Sequence, residues 1–274
     1  FLKTVMADRL GLYVDSVYDN FQYQSGFSCL VASFMYTMQI YGDFAGYSLM
    51  AIGVGRLMGF DLVNNFNRPY FAASITEFWK RWHISLTRWL TTYIYIELGG
   101  NRCSKPRQYW NVMITFLVSG IWHGANWTFI LWGVMHGLLQ CTEKILGIDP
   151  KGKYASLPLY RRLKPVRILV TFLLVNIAWI LFRLPSLDVA SIVFGKIFTW
   201  EGSRLFLPSN STLGFMLISL TIVISKEICE EYFSKVQLFN NQSTIVRWSS
   251  YLMVIALIML CGVFDSSQFI YVKF

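Results

Sequence analysis

Five long stretches of the chain consist mainly of apolar residues, and charged or Pro- and Gly-containing connections separate them. Several of these stretches are shorter than the roughly 20 residues that an upright transmembrane helix needs. Their approximate bounds are 27–58, 109–140, 166–182, 212–225 and 245–264. This pattern predicts an all-α protein with several membrane-spanning helices.

The stretch at 109–140 is too long to be one upright transmembrane helix. As a continuous helix it would measure about 48 Å at 1.5 Å per residue, whereas the hydrocarbon core of a bilayer is about 30 Å thick. We therefore expect the helix to break or turn within "GIWHGANW", beside His123. Irregular backbone at membrane depth is tolerated only beside protein or a water-filled cavity, so the break predicts an enclosed or hydrated pocket.

Two of the three histidines, His123 and His136, lie in this stretch, which has no charged residue between 118 and 137. Each histidine lies within a GxxxG pattern, which lets neighbouring helices approach closely. The glycines are Gly120 and Gly124 around the first histidine and Gly133 and Gly137 around the second. Polar groups in a membrane are usually either functional or hydrogen-bonded between helices, so both roles stay open for these two side chains.

Residues 66–102 combine aromatic and basic residues in a helical pattern. Ser74 followed by Glu77 is a capping-box pattern, which predicts that a helix begins there with Pro69 outside it. In one continuous helix the apolar and basic residues occupy opposite faces, and His83 falls on the seam between them. The apolar face holds Ile75, Phe78, Trp79, Trp82, Leu86, Trp89 and Leu90, and the basic face holds Lys80, Arg81 and Arg88.

A basic amphipathic helix of this kind is suited to lying at the membrane surface. Its cations can face an anionic substrate or phospholipid headgroups. The alternative, a helix that only anchors the protein to anionic lipid, requires the same charges.

A metal site has little support in the sequence. On a continuous helix His123 and His136 would be about 220° apart and roughly 20 Å distant, too far to share one ion. The sequence has neither HxxxH nor HExxH, and it has no Cys–His spacing with zinc geometry. A serine hydrolase also has little support, because the sequence lacks a G-x-S-x-G elbow. Asp43, in "GDFAG", is a candidate for substrate binding, although capping a helix or pairing with a basic residue such as Arg56 is its more ordinary interpretation.

The composition supports a membrane protein. Of the 274 residues, 55% are hydrophobic and 14% are charged, which is too apolar for an ordinary soluble domain. The formal charge of +9 comes from short Lys and Arg clusters between apolar runs, so we expect no nucleic-acid binding. The five cysteines lack CxxC spacing and indicate small buried side chains rather than a disulfide framework.

Five segments, taken in order, resemble the membrane-bound O-acyltransferase family, specifically the bacterial branch that includes the alginate O-acetyltransferase membrane subunit. They are "KTVMADRL", "YGDFAGYSLMAIGVGRLMGF", "FNRPYFAASITEFWKRWHISLTRWL" with "YIYIELGGNR", "SGIWHGANWTFILWGVMHG" and "GVFDSSQFIYVKF". The combination of RWHISL, LGGNR and WHGANW is specific. One departure is Glu97, which stands where family members usually have a proline. It can alter donor binding or pair with a nearby Lys or Arg.

The resemblance implies an all-α, polytopic transmembrane fold with interfacial amphipathic helices and a broken or re-entrant segment near His123. Residues 1–274 would form the C-terminal portion of a single membrane domain. Because "KTVMADRL" resembles an internal segment of full-length members, we expect the N-terminal helices of such a domain to be absent from this chain.

The resemblance also implies roles for individual residues. His123 corresponds to the histidine regarded as catalytic in the family, and His83 corresponds to a second functionally important histidine. His136 matches a recurrent position to which the resemblance assigns no definite role. The candidates for substrate contact are Trp122, Asn126, Trp127, His136, Lys80, Arg81 and Asp43.

The implied activity is transfer of an acetyl or other acyl group to a hydroxyl of an extracytoplasmic polysaccharide, or of a partner transferase, at the bacterial cytoplasmic membrane. Neutral imidazole suits removal of a hydroxyl proton, so His123 is predicted to be the general base. The implied donor is acetyl-CoA or another acyl thioester arriving from the cytosolic side, with no bound cofactor. The implied partner is an SGNH-type extracytoplasmic transferase.

Two other functions are compatible with the sequence. A related branch of the family transfers D-alanine towards teichoic acid. A non-enzymatic transporter or scaffold is the second alternative, because broken helices and intramembrane polar residues also occur in transporters. The connection at 150–167 is the best candidate for a cytosolic loop because it is rich in Lys and Arg.

Overall fold

The structure is a computed structural model that describes residues 1–233, 239 and 241–264. Within this part of the chain it consists of helices and turns and has no β-strand, which confirms the predicted all-α class. Most of the closing motif, residues 265–274, lies outside the described residues.

The helices follow the apolar pattern of the sequence. They are α1 (Asp8–Tyr18), α2 (Gly26–Leu57), α3 (Ile75–Arg81), α4 (Ile84–Leu90), α5 (Lys105–His123), α6 (Trp127–Leu146), α7 (Pro158–Arg162), α8 (Lys164–Arg183), α9 (Leu187–Phe198), α10 (Asn210–Tyr232) and α11 (Thr244–Cys261). Short π-helical turns at Leu2–Ala7 and Thr91–Tyr95 and 3₁₀ turns at Phe21–Tyr23 and Pro69–Phe71 complete the helical elements of the described residues. Among these helices, α8, α10 and α11 are long and apolar enough to cross a membrane.

The chain divides into two compact units. Unit 1 comprises residues 1–60 and the described residues from 195 onward, and unit 2 comprises residues 61–194. Unit 1 is built on α1 packed against the 32-residue α2, with α10 beside them. Its core is apolar and fully buried, as in Met6, Leu10 and Ile40.

Unit 1 holds Asp43 in the middle of α2, where the side chain is 1% exposed. Asp43 forms an ion pair with Lys3, whose Nζ lies 2.7 Å from Oδ1. A residue in the middle of a helix does not cap it, so the capping interpretation is wrong. The interpretation of Asp43 as a carboxylate paired with a basic residue is confirmed, but the partner is Lys3 and not Arg56, which lies about 20 Å further along the same helix at 1.5 Å per residue. The positive charge of Lys3 offsets part of the desolvation cost of burying this carboxylate.

Unit 2 is built around a helical hairpin, α5 and α6, with α3 and α8 packed against α6. The two helices of the hairpin lie close together because the glycines of each helix face the other. A Cβ added to Gly120 would lie 2.5 Å from the backbone oxygen of Phe129, and one added to Gly133 would clash with the backbone oxygen of Phe116. The predicted close approach of helices at the GxxxG patterns is therefore confirmed.

The core of unit 2 is aromatic. Its largest fully buried side chains are Trp82, Trp132, Trp179, Phe78 and Phe182. Trp132 comes from α6, Trp179 and Phe182 come from α8, Phe78 comes from α3, and Trp82 directly follows α3. Aromatic pairs at centroid separations of 4.5–7 Å add stabilisation beyond their buried area, so this cluster fixes the positions of the helices that carry the histidines.

The segment from Ile75 to Leu90 is two helices and not one. The capping box is confirmed, because Ser74 Oγ accepts a hydrogen bond from the amide of Glu77 at 3.0 Å. The helix then ends at Arg81, and His83 adopts a left-handed conformation with φ of 43° before α4 begins. The predicted continuous amphipathic helix with His83 on its seam is therefore wrong.

Candidate active site

His123 is the last residue of α5, and α6 begins four residues later at Trp127. The predicted break in the long apolar stretch is thus confirmed. Asn126 holds the turn in place: its Oδ1 accepts from the amide of Thr128 at 3.1 Å, and its Nδ2 donates to the carbonyl of Pro185 at 2.6 Å. Asn126 therefore has a clear structural role as the N-cap of α6.

Aromatic rings surround His123. Trp132 and Phe182 both pack against its imidazole at centroid distances of 5.1 Å, with interplanar angles of 89° and 80°. Trp122 lies 4.9 Å away at 78°. The residue is only 9% exposed. Such an apolar enclosure favours the neutral imidazole, which is the form that can accept a proton.

His136 lies deeper in the same cluster and is fully buried. Its Nδ1 accepts a hydrogen bond from Nε1 of Trp79 at 3.2 Å. Since Nδ1 is an acceptor, the proton of the neutral ring is inferred to be on Nε2. This hydrogen bond joins α6 to α3. Linking two helices is one of the two roles that the sequence left open for His136, and here the imidazole is the acceptor.

The two histidines of the hairpin share a neighbour. The ring of His136 lies 5.1 Å from that of Trp132, the same distance as the ring of His123. The separation of roughly 20 Å expected for a continuous helix is therefore wrong, because the chain turns back at Gly124. In the part of the chain that the structure describes, no group of three His, Cys, Asp or Glu side chains is placed to hold a metal ion.

His83 lies between α3 and α4, and the loop that precedes α3 fixes its backbone. The carbonyl of Asn65 accepts from the amide of Ile84 at 3.0 Å, and Oδ1 of Asn65 accepts from the amide of Ser85 at 3.1 Å. Burial lowers the pKa of His83 to about 4, so its ring is neutral at pH 7.

The structure brings His83 and His123 together around Trp122. The ring of Trp122 lies 6.4 Å from that of His83 and 4.9 Å from that of His123. The two imidazoles are also close enough to interact electrostatically. Two histidines separated by forty positions in the sequence thus belong to one site.

The other predicted substrate-contacting residues have different surroundings. Trp122 and Trp127 are 55% and 70% exposed beside the turn. Arg81 pairs with Glu77 at 2.7 Å, whereas Lys80 is exposed and lines a separate cavity. Asp43 belongs to unit 1 and the three histidines to unit 2. Substrate contact by these residues stays a prediction.

Trp132 was not predicted as a site residue, although it touches both hairpin histidines. The signal was available, because Trp132 precedes His136 by one helical turn and so lies on the same face of α6. Phe182 also contacts His123, but its position in the sequence does not indicate this contact. It lies on α8, and only the tertiary packing of α8 on α6 brings it to the site.

Three relatives are similar to this chain over more than half of its length. The probable alginate O-acetylase AlgI of Azotobacter vinelandii is 45% identical over 228 residues, 82% of this chain and 44% of that protein. The peptidoglycan O-acetyltransferase of Helicobacter pylori is 40% identical over 69% of the chain and 35% of its own length. The teichoic acid D-alanyltransferase of Bacillus subtilis is 31% identical over 52% of the chain and 38% of its own length.

The matched segment thus spans less than half the length of these relatives. The model of the membrane-bound O-acyltransferase family matches residues 2–147, which include all three histidines. This match covers more than half of the chain. The chain therefore belongs to the membrane-bound O-acyltransferase family.

Proposed function

We propose that the protein to which this chain belongs transfers an acetyl or other acyl group from a thioester to a hydroxyl of an extracytoplasmic polysaccharide or of a partner transferase. The observation that carries the proposal is the placement of His123. It lies at a helix break inside an aromatic enclosure, yet 9% of the residue is exposed. His136 is fully buried and offers no surface to a substrate.

The proposed chemistry uses His123 as the general base. The neutral imidazole takes the proton from the acceptor hydroxyl as its oxygen attacks the thioester carbonyl. The tetrahedral intermediate then collapses, the carbon–sulfur bond breaks, and the imidazolium returns its proton to the departing thiolate. The products are an ester and a free thiol. His83, which is neutral and also lies beside Trp122, is proposed to orient one of the two reactants.

The relatives favour acetyl transfer over D-alanyl transfer. The two relatives whose names describe acetylation are 45% and 40% identical to this chain, and the D-alanyltransferase is 31% identical. D-alanyl transfer to teichoic acid is therefore the second candidate. The acyl donor is proposed to be acetyl-CoA or another acyl thioester.

The proposed location is the bacterial cytoplasmic membrane, which α8, α10 and α11 are able to cross. An SGNH-type extracytoplasmic transferase is the proposed partner, which would take the acyl group onward to the polysaccharide. This partner rests on the family resemblance alone.

The proposal is tested by mass spectrometry of cell-envelope glycans from strains with the full-length gene, without it, and with His123→Gln. We expect O-acetyl groups on one glycan in the first strain and their absence in the other two, at equal amounts of membrane protein. Arg161→Gln, on the exposed surface of α7, is the control and should behave as wild type. Unchanged acetylation in the His123→Gln strain would contradict the proposal, as would flux of an unmodified solute without any acyl transfer.

A further inference from the structure

The carboxylate of Glu143, near the end of α6, caps the first turn of α3. Its Oε1 accepts a hydrogen bond from the amide of Ile75, and its Oε2 accepts one from the amide of Thr76 at 3.0 Å. These are the first two residues of α3, and amides at that position have no acceptor within the helix. The next amide, that of Glu77, donates to Oγ of Ser74. A residue of α6 thus completes the capping of α3 that the local sequence only begins.

The contact between Glu143 and α3 is favourable because a negative charge meets the positive end of a helix. The aligned peptide dipoles place partial positive charge on the first amides of α3. Hydrogen bonds from amides to an ionised carboxylate are also stronger than those between neutral groups. Glu143 is only partly exposed, and it forms no ion pair with any Lys or Arg in the described part of the chain. The start of α3 is therefore its main partner.

Three side chains on one face of α6 make polar contacts with α3. They are His136, Gln140 and Glu143, which are spaced by four and three positions. His136 accepts from Nε1 of Trp79 at 3.2 Å, and Nε2 of Gln140 donates to Oγ1 of Thr76 at 3.3 Å. Hydrogen bonds require specific distances and angles, whereas apolar packing is not directional. These contacts therefore fix the position of α3 along α6 and its rotation about its own axis.

The direction of α3 along α6 is towards the turn at His123. The first residues of α3 lie beside Glu143, whereas Trp79 lies beside His136, which is nearer to the beginning of α6. At 1.5 Å per residue, Glu143 lies about 24 Å from the beginning of α6. It is thus too far from the turn to touch a reactant there.

His83 follows α3 directly, with only Trp82 between them. The ring of His83 lies 6.4 Å from that of Trp122, which lies 4.9 Å from the ring of His123. Because a single residue links His83 to the end of α3, a shift of α3 along α6 would move the ring of His83 relative to that of His123. The contact at the start of α3 therefore has a consequence at its other end.

We propose that Glu143 is a positioning residue for acyl transfer: it sets the position of α3 on α6 and thereby holds His83 beside Trp122 and His123. This inference rests on the proposed function, in which His83 orients a reactant. Glu143 touches no reactant in this account and acts only through His83. Such support matters because a misplacement of about 1 Å, caused by a mutation far from the chemistry, can slow a reaction about 10²-fold.

The first test measures the accessibility of His83 in the full-length protein in nanodiscs. Diethyl pyrocarbonate modifies accessible imidazoles, and mass spectrometry of the peptides gives the modification rate of each histidine. We expect Glu143→Gln, which removes the charge and one acceptor oxygen, to raise the rate at His83 about threefold or more. His136 should stay unmodified, which shows that the core remains folded. Asp188→Asn is the matched control, because it removes an exposed carboxylate from the first turn of α9 and should leave the rate at His83 unchanged.

The second test measures transfer of labelled acetyl from acetyl-coenzyme A to the cell-envelope glycan fraction, per folded molecule. Glu143→Gln should lower the rate constant about tenfold or more in the wild-type background, and by less than about twofold in a His83→Asn background. A merely structural role of Glu143 would instead lower yield and thermal stability, and it would leave the rate per folded molecule and the accessibility of His83 unchanged.

An unchanged modification rate of His83 in Glu143→Gln would overturn the proposal. So would an equal loss of the transfer rate in both backgrounds, because Glu143 would then act on something other than His83. Gln140→Leu removes a second contact of the same face of α6 and should also raise the modification rate of His83, so its result decides if Glu143→Gln does not fold.

The modification rate also separates this inference from the proposed function. If His83→Asn transfers acetyl at the wild-type rate, the proposed role of His83 fails, while the support of His83 by Glu143 still stands on the modification rate. If His83→Asn transfers nothing, the modification rate alone decides whether Glu143 holds His83 in place.

Discussion

The imidazole of His123 packs edge-on against the indole of Trp132, with ring centroids 5.1 Å apart and planes at 89°. Trp132 is fully buried, and its other neighbours include His136 and Trp179. The side chain that we propose as the base is therefore held by the centre of the core of unit 2.

Replacing Trp132 should separate the packing role of this ring from the chemistry of its neighbour. Trp132→Ala removes a fully buried indole and should lower the free energy of unfolding by about 3–5 kcal/mol, with loss of activity. Trp132→Phe keeps an aromatic ring and should therefore lose less stability and less activity than Trp132→Ala. Thermal unfolding of the full-length protein in detergent measures the difference. A Trp132→Ala protein as stable as the wild type would show that the cluster does not hold the site.

His136 should behave as a structural residue. His136→Leu leaves the buried Nε1–H of Trp79 without its acceptor, which should cost about 1–3 kcal/mol of stability. Trp79→Phe combined with His136→Leu removes both partners, so the double variant should be less destabilised than the sum of the two single variants. Activity per folded molecule should fall far less than in His123→Gln. A full loss of activity in a normally stable His136→Leu protein would contradict this role.

The close contact of α5 and α6 should be sensitive to a single methyl group. A Cβ at Gly133 would clash with the backbone oxygen of Phe116, so Gly133→Ala should destabilise unit 2 by at least about 1–3 kcal/mol. Gly53 is the matched control, since it is also helical and a Cβ there meets nothing within 4 Å. Gly53→Ala should be neutral or slightly stabilising. The yield and thermal stability of detergent-purified protein distinguish the two, and equal behaviour would refute the steric account.

His83 should make the stability of the protein depend on pH in the acidic range. Burial lowers its pKa to about 4 in the folded protein, whereas the unfolded chain binds a proton near 6.5. Between these values the unfolded state binds more protons, so the free energy of unfolding decreases as the pH falls and is unaffected by His83 above pH 6.5.

The variant His83→Asn isolates this contribution, because asparagine tolerates the left-handed backbone at this position. We expect the midpoint of thermal unfolding to fall less between pH 7 and pH 5 in the variant than in the wild type. The contribution of His136 is common to both proteins and cancels, whereas the part of the His123 contribution that comes from its interaction with His83 is lost together with His83. Identical pH dependence in the two proteins would contradict the buried, neutral state of His83.

The elements of the fold were largely predictable from the sequence, because long apolar runs and capping patterns are local signals. The break at His123 followed from length alone, and the capping box at Ser74 from two residues. The second break, at His83, was missed because the helical periodicity continues across it. The loop before α3, which lies outside the pattern, stabilises this break, because the amide of Asn67 donates to the carbonyl of Arg81 and Asn65 accepts from the start of α4.

The site was predictable only in part. His123 and His83 were identified from the resemblance, but their common contact with Trp122 depends on the tertiary fold, which brings the turn at His83 beside the end of α5. The cavity that Lys80, Lys105 and Lys144 line in unit 2 was missed for a similar reason. Lys105 and Lys144 lie far apart in the sequence, and the hairpin brings the beginning of one helix beside the end of the next.

The central claim, that His123 removes the acceptor proton, is tested most directly by single-turnover transfer of labelled acetyl from a thioester by the full-length protein in nanodiscs. The account predicts that His123→Gln lowers the rate constant of transfer by about 10²–10⁴ while the affinity for the thioester stays unchanged. A rate constant equal to that of the wild type, at equal thioester affinity, would contradict it.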